Sequence, residues 1–234
     1  MSDFRKFFRS KFPYRVSQLD DRIDKIINKP LDYSISPFIV KEAQDHMIEQ
    51  NIFSYLLENR IIFFGEEFNS DSCNIAVGQI LYLNQLDDKS DINIYINSPG
   101  GNVTDCFGLL SVMDAVSNDF STVALGLAAS CGNLLLVSGT VGKRKALRLS
   151  KLLVHQPMGG ASGQCSDVMI EAKFLQEIKD DIADIYVKQT GLDRDKVIEY
   201  MDRDNWVKPQ QALSSAKGGI WGNIGMIDEI VVKI

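Results

Sequence analysis

Ser121-Thr-Val-Ala-Leu-Gly-Leu-Ala-Ala-Ser130-Cys-Gly-Asn-Leu-Leu-Leu-Val137 passes from one apolar run to another through a cluster of small residues. Ser121–Leu125 reads as a buried strand and Asn133–Val137 as an apolar helix. Ser130 therefore stands at a strand–helix junction. A hydroxyl there projects from a tight turn, with backbone N–H groups and a helix N-terminus facing the same point. The chain holds two histidines, His46 and His155, and His155-Gln-Pro157 follows the apolar run Lys151-Leu-Leu-Val154. The pairing of an exposed-turn serine with a histidine at a strand end predicts a serine hydrolase.

Working outward, strands and helices alternate. Asn51–Asn59 reads as a helix with Ile52, Phe53, Leu56 and Leu57 on one face, and Arg60–Phe64 as a strand stopped by Gly65. Ser72–Leu86 is a second helix, Asp91–Ile96 a strand that ends in Asn97-Ser-Pro-Gly-Gly101, and Val103–Val116 a third helix. Ala129–Val137 continues the helical pattern, followed by a strand over Lys151–His155. Gly159-Gly-Ala-Ser-Gly163 precedes a long helix over Ser166–Thr190, with Gly191 as its stop. This alternation predicts an α/β fold with a mainly parallel sheet.

A length of 234 residues suits one large α/β domain, and 45% hydrophobic with 24% charged residues is the balance of an ordinary globular chain. The net charge of −6 argues against nucleic-acid binding, which needs a concentrated basic face. No apolar run reaches the roughly 20 residues that span a bilayer. Cys73, Cys106, Cys131 and Cys165 lack any CxxC pairing or ligand-spaced histidine, so they read as free thiols in a reducing compartment, with no zinc site. The first 14 residues interleave Phe4, Phe7, Phe8, Phe12 and Tyr14 with Arg5, Lys6, Arg9 and Lys11. They lack the apolar core of a secretory signal, and Asp20, Asp21 and Asp24 suit a transit peptide badly. Residues 1–37 read as an N-terminal extension and 38–234 as the folded domain, with Ser36-Pro37 at the boundary.

Serine-based acyl transfer needs a nucleophile, a base, a group orienting that base, and donors for the oxyanion. Ser130 and His155 supply the first two. Gly100-Gly101 at a strand end and the N–H of Cys131 supply candidate oxyanion donors. The orienting acid stays open among 31 carboxylates, with Asp202 and Asp204 drawing notice beside Trp206.

At these residues the chain resembles the ClpP family, the self-compartmentalised serine peptidases of the Clp system. The resemblance runs from Pro37 to Glu229. It is carried by Tyr95-Ile-Asn-Ser-Pro-Gly-Gly101, the segment around Ser130, Gly142-Lys-Arg144 and His155-Gln-Pro-Met-Gly-Gly160. Gly163-Gln164, Asp202-Arg-Asp204 and Gly225-Met-Ile-Asp-Glu229 complete it. The intervals from Ser130 to His155 and from His155 to Asp204 match the family pattern.

The resemblance implies a ClpP/crotonase-like repeated β-β-α superhelix with a protruding strand–helix handle. It implies Ser130 as nucleophile, His155 as base, Asp204 as the orienting acid, and Gly101 and Cys131 as oxyanion donors. It further implies two stacked heptameric rings, with Gln164, Asp167 and Arg203 at the junction between them. A hexameric AAA+ unfoldase would feed unfolded proteins to these rings and hydrolyse the ATP, so the chain needs no cofactor of its own and works in the cytoplasm. Phe38–Glu49 matches the family's axial-loop region and residues 1–37 a propeptide position.

Three departures stand out. Cys131 and Asn133 replace residues that are more often Met and Ala or Gly, Ser214–Asn223 is an apparent insertion, and the extension is long and aromatic. The rival readings are a catalytically silent ring subunit and a crotonase-type enoyl-CoA enzyme. The latter does not need serine, histidine and aspartate at these spacings. Signal-peptide-peptidase relatives use a Ser–Lys pair and a membrane anchor that this sequence does not display.

Overall fold

The computed structural model describes residues 38–43, 46–213 and 224–232. The extension over 1–37 and the Gly-rich segment over 214–223 lie outside the described residues. Two compact units divide between Ile52 and Phe53. In the first, β1 (Phe38–Ala43) pairs antiparallel with β2 (His46–Asn51), Phe38 opposite Asn51.

The second unit follows the predicted alternation. In order come α1 (Ile52–Glu58), β3 (Ile61–Phe64), α2 (Ser70–Leu86), β4 (Ile92–Ser98), α3 (Val103–Ala115), β5 (Phe120–Ala129) and α4 (Cys131–Val137). There follow β6 (Arg144–Leu147), β7 (Lys151–Val154), α5 (Cys165–Thr190), α6 (Arg194–Met201), β8 (Asn205–Val207), α7 (Pro209–Ala212) and β9 (Glu229–Val231). The seven-stranded sheet runs β3-β4-β5-β6-β9, with β7 also on β5 and β8 on β7. Every pair is parallel except β7 with β8. β3 and β4 alternate, burying Ile62, Phe64, Ile92, Ile94 and Ile96 on one face while Phe63 on the other is exposed. The central β5 is buried on both faces in its first half, at Thr122, Val123 and Ala124.

β5 decides where the site lies. Its first half pairs with β4 on one side and β6 on the other, and Leu127–Ala129 then pairs with Lys151–Leu153 of β7. The switch coincides with a register shift between Ile96 and Ser98, where Asn97 Oδ1 accepts the Leu127 N–H at 2.9 Å. A Cβ on Gly126 would stand 2.8 Å from that oxygen, so a glycine is needed for the side chain to enter the ladder. Bulges of this sort re-aim a strand.

The sequence reading ends this strand at Leu125 and starts the helix at Ala129. The structure instead carries the strand through Ala129, because pairing with β7 outweighs the low strand propensity of Gly126-Leu-Ala-Ala129. All seven residues of α4 are buried, as a helix apolar on every side must be.

α5 has 26 residues, about 39 Å at 1.5 Å per residue. Its first half contributes no buried residue, whereas Ile178, Ile182, Ala183 and Tyr186 form a buried stripe on the second half. Gly191, in the left-handed region at φ 70°, ends it.

The end of α5 is fixed to the sheet by Arg144, which is 2% exposed. Its Nε and Nη2 donate to Asp228 at 2.9 and 2.7 Å, and its Nη1 donates to the Gln189 carbonyl at 2.7 Å. Among the described residues no helix is long and apolar enough to cross a membrane.

Candidate active site

Ser130 sits where β5 ends and α4 begins, with φ 54° and ψ −120°. A residue bearing a Cβ is strained in that region by ~1–3 kcal/mol, and it stays there only where its surroundings over-determine it. Here they do. Ser130 N–H donates to Leu153 O at 3.0 Å, and Ser130 O accepts from the N–H groups of Asn133 and Leu134 at 2.9 and 3.0 Å. The turn thus belongs at once to the sheet and to the helix.

Sheet register supplies the other two groups. Ala129 pairs with Leu153 in parallel, so β5 and β7 deliver Ser130 and His155 at the same edge of the sheet. Val154 pairs with Asn205 in the antiparallel ladder, and extending that register by one position sets His155 opposite Asp204. The His155 Nδ1 and an Asp204 carboxylate oxygen are 3.0 Å apart. An acceptor at Nδ1 fixes the tautomer that leaves Nε2 unprotonated and able to take a proton.

Asp202, the other acid the sequence leaves open, does not meet the imidazole. Its carbonyl accepts from Gln156 Nε2 at 2.7 Å, and its carboxylate lies 3.7 Å from Arg203 Nε. Among the described residues no hydrogen bond joins Ser130 to His155. Catalytic hydrogen bonds are often long in apo enzymes and tighten when substrate binds.

The glycine pair passes directly against Ser130. Gly100, at φ 97°, lies so close that a Cβ on it would meet Ser130 Cβ at 2.6 Å and Cys131 N at 3.2 Å. Gly101, at φ 147°, bridges to Phe68: Gly100 O accepts from Phe68 N, and Asn102 N donates to Phe68 O, both at 2.8 Å. In a parallel bridge the central residue's own N–H points away from its partner strand. The Gly101 N–H is thereby turned away from Phe68 and left out of that bridge. Cys131 N–H opens α4 and has no acceptor within that helix.

The Cys131 thiol is buried against the backbone, 3.4 Å from Gly101 O. Hydrogen bonding with Cys106 holds the Cys131 thiol below its ordinary range and pushes that of Cys106 well above it. Cys73 is also buried and Cys165 is exposed; all four cysteines are free.

Sequence reasoning missed one polar contact in the helix that follows Ser130. Tyr186 on α5 donates its hydroxyl to Asn133 Oδ1 at 2.8 Å, both residues being buried. Burial pushes the Tyr186 phenol well above its usual range, so it remains a donor. The only sequence signal was Asn133 itself, an amide inside an otherwise apolar helix.

Of the predicted ring-junction residues, Gln164 is the N-cap of α5 and Asp167 lies in its first turn. Arg203 is in the exposed turn before β8, and its neighbour within the chain is Asp202. Asp167 and Arg203 are not paired within one chain. Among the described residues no group of three or more His, Cys, Asp or Glu could hold a metal ion.

Residues 43–233 match the family model described as Clp protease. The chain is 39% identical over 233 residues to an "ATP-dependent Clp protease proteolytic subunit" of Bacteroides fragilis (strain YCH46), covering 100% of both chains. It is 35% identical over 233 residues to the protein of that name from Porphyromonas gingivalis (strain ATCC BAA-308 / W83), covering 100% of this chain and 99% of the relative. It is 41% identical over 197 residues to an "ATP-dependent Clp protease proteolytic subunit 1" from Synechococcus sp. (strain CC9902), covering 84% of this chain and 95% of the relative.

Proposed function

Because this chain belongs to the Clp protease family and is a serine-type peptidase subunit, we propose that Ser130, His155 and Asp204 are its catalytic groups. The observation that carries the assignment is the 3.0 Å contact between His155 Nδ1 and Asp204 on strands whose register brings Ser130 to the same edge. Ser130 Oγ attacks the peptide carbonyl while His155 Nε2 takes its proton. The tetrahedral oxyanion is held by the N–H groups of Gly101 and Cys131. His155 then returns the proton to the leaving amine as the acyl-enzyme forms. Water, activated by the same imidazole, releases the acid product. Asp204 stabilises the imidazolium throughout and keeps its own charge. No metal or organic cofactor has a step in this scheme.

The working form is an oligomer that acts with a Clp ATPase, in line with the printed names of the relatives. We assign it two stacked heptameric rings fed by a hexameric AAA+ unfoldase, which supplies peptide and unfolded-protein substrates and hydrolyses the ATP. Gln164, Asp167 and Arg203 face the second ring, Asp167 and Arg203 pairing across the junction. The chamber works in the cytoplasm.

The test is labelling of native assemblies with a fluorescent fluorophosphonate, beside Ser130→Ala. Label on the wild type and none on the variant is the expected result. Equal labelling of both removes Ser130 from the mechanism. Intact rings that take no label in either form identify a silent scaffold subunit.

A further inference from the structure

We propose that Tyr186 and Asn133 form a positioning pair for the nucleophile, a hydrogen bond from α5 that holds the first turn of α4 with Ser130 and the Cys131 N–H in working orientation. The proposal rests on the assignment of Ser130 and Cys131 above.

Asn133 is three residues beyond Ser130, and its own N–H donates to Ser130 O at 2.9 Å. One residue therefore grips the nucleophile through its backbone and α5 through its side chain. The other contacts on this turn come from the sheet, from the chain around Ser98–Asn102 and from α3. They include Ser130 N–H to Leu153 O, Cys131 Sγ against Gly101 O, Gly132 so near Ser98 that a Cβ would meet Ser98 O at 3.0 Å, and a weak contact of the Cys106 thiol on the Cys131 carbonyl at 3.9 Å. The Tyr186 hydroxyl is the polar restraint that reaches it from α5.

Both ends of the bond are rigid. Tyr186 is 3% exposed, the sole polar member of the buried stripe on α5. Three residues further on, the Gln189 carbonyl is fixed by Arg144. Asn133 is fully buried within a fully buried helix. A phenol has only two side-chain torsions to lock, so it places its oxygen with little loss of freedom.

Packing alone does not account for the amide. Asn133 Nδ2 is buried and has no hydrogen-bond partner among the described residues. An amide with half its capacity unused in an apolar helix is costly, and an alanine would avoid that cost. What Asn133 adds over alanine is the one bond to Tyr186. That bond acts on a turn whose Ser130 backbone is strained and in need of restraint.

The experiment compares wild type, Tyr186→Phe and the double variant Asn133→Ala/Tyr186→Phe as purified assemblies. For each, peptide kcat and KM, the second-order rate of fluorophosphonate labelling and thermal unfolding are measured. We expect Tyr186→Phe to lower kcat and the labelling rate together by about tenfold, with KM changed less than about twofold, since the bond acts on the reacting group and not on substrate binding. Tyr186→Phe also strands the Asn133 amide, so it unfolds at lower temperature.

The double variant removes both polar groups and recovers thermal stability while labelling stays slow. Recovery of labelling in step with stability overturns the proposal and makes the pair a matter of core satisfaction only. Wild-type labelling by Tyr186→Phe also overturns it and leaves the role of Ser130 intact. A wild type that takes no label removes the active-site assignment itself, and the positioning role with it.

Discussion

Gly100→Ala tests how closely the site depends on the approach of one backbone to another. At φ 97° the residue is in a region that a Cβ disfavours, and its built Cβ would lie 2.6 Å from Ser130 Cβ and 2.8 Å from Ala129 O. Carbon atoms in contact normally sit about 3.5–4.0 Å apart, so either the loop or the nucleophile turn must retreat by about 1 Å. A displacement of that size costs on the order of 100-fold in rate. The backbone strain adds ~1–3 kcal/mol to the destabilisation.

The predicted outcome is a folded assembly with kcat on a fluorogenic peptide reduced about 100-fold, slower fluorophosphonate labelling and a lower unfolding temperature. The control is Gly78→Ala. It lies within α2 with nothing inside 4 Å of the added carbon. Helix propensity there favours alanine by ~0.5–1 kcal/mol, so the control should be more stable and equally active. If Gly100→Ala assembles and turns over within twofold of wild type, close packing of Gly100 on Ser130 is irrelevant to catalysis and the geometric argument fails.

Asp204→Asn should preserve assembly and lower kcat by about 10³- to 10⁴-fold, because an amide facing Nδ1 selects the wrong tautomer. Unchanged peptide kinetics would assign the orienting role elsewhere. Asp228→Asn addresses stability and pH instead. Burial alone would raise the Asp228 carboxyl, but the Arg144 guanidinium and the N–H groups of Arg144 and Gly142 more than offset this and leave it below its usual range. A carboxylate lowered in the folded state stabilises fully above its unfolded value of about 3.9, and that contribution fades as pH falls through the lower folded value. Removing one partner of a buried pair costs ~3 kcal/mol at neutral pH. The gap between wild type and Asp228→Asn in denaturant titrations should therefore be full at pH 7 and shrink once pH drops below about 4. A gap that stays constant across that range would refute the linkage.

The alternation of strands and helices was legible because apolar runs and their breakers are local signals. Ile92–Ser98, Val103–Ala115 and Cys165–Thr190 fall within two residues of their predicted limits. Short elements were not legible. β6 opens on the basic pair Arg144-Lys145 with no apolar run immediately before it, and Arg144 is buried because Asp228 meets it from 84 residues away. β8 has three residues and exists through its pairing with β7. Ser130 and His155 could be read as candidates from their positions after apolar runs. The preference for Asp204 over Asp202 came from family resemblance, since two acids separated by one residue look alike until a strand register sets one of them against the histidine. The contact between Tyr186 and Asn133 joins residues 53 apart and carried no pairing signal at all.

That contrast shows where the chemistry of this site is encoded. Each of the three residues proposed as catalytic lies just outside a strand, Ser130 after β5, His155 after β7 and Asp204 before β8. Their mutual placement follows from two ladders with opposite sense. The parallel ladder of β5 with β7 brings two strand ends to one edge, whereas the antiparallel ladder of β7 with β8 brings a strand beginning to the same edge. Slipping β8 by one position would turn Asp204 to the opposite face, since side chains alternate along a strand. The same slip would expose Val207, which is buried, and bury Trp206, which is 54% exposed. The apolar pattern of a three-residue strand thus resists the slip that would part Asp204 from His155. Their contact and core packing are enforced by a single register, and a variant that exchanges the apolar character of Trp206 and Val207 should lose both together.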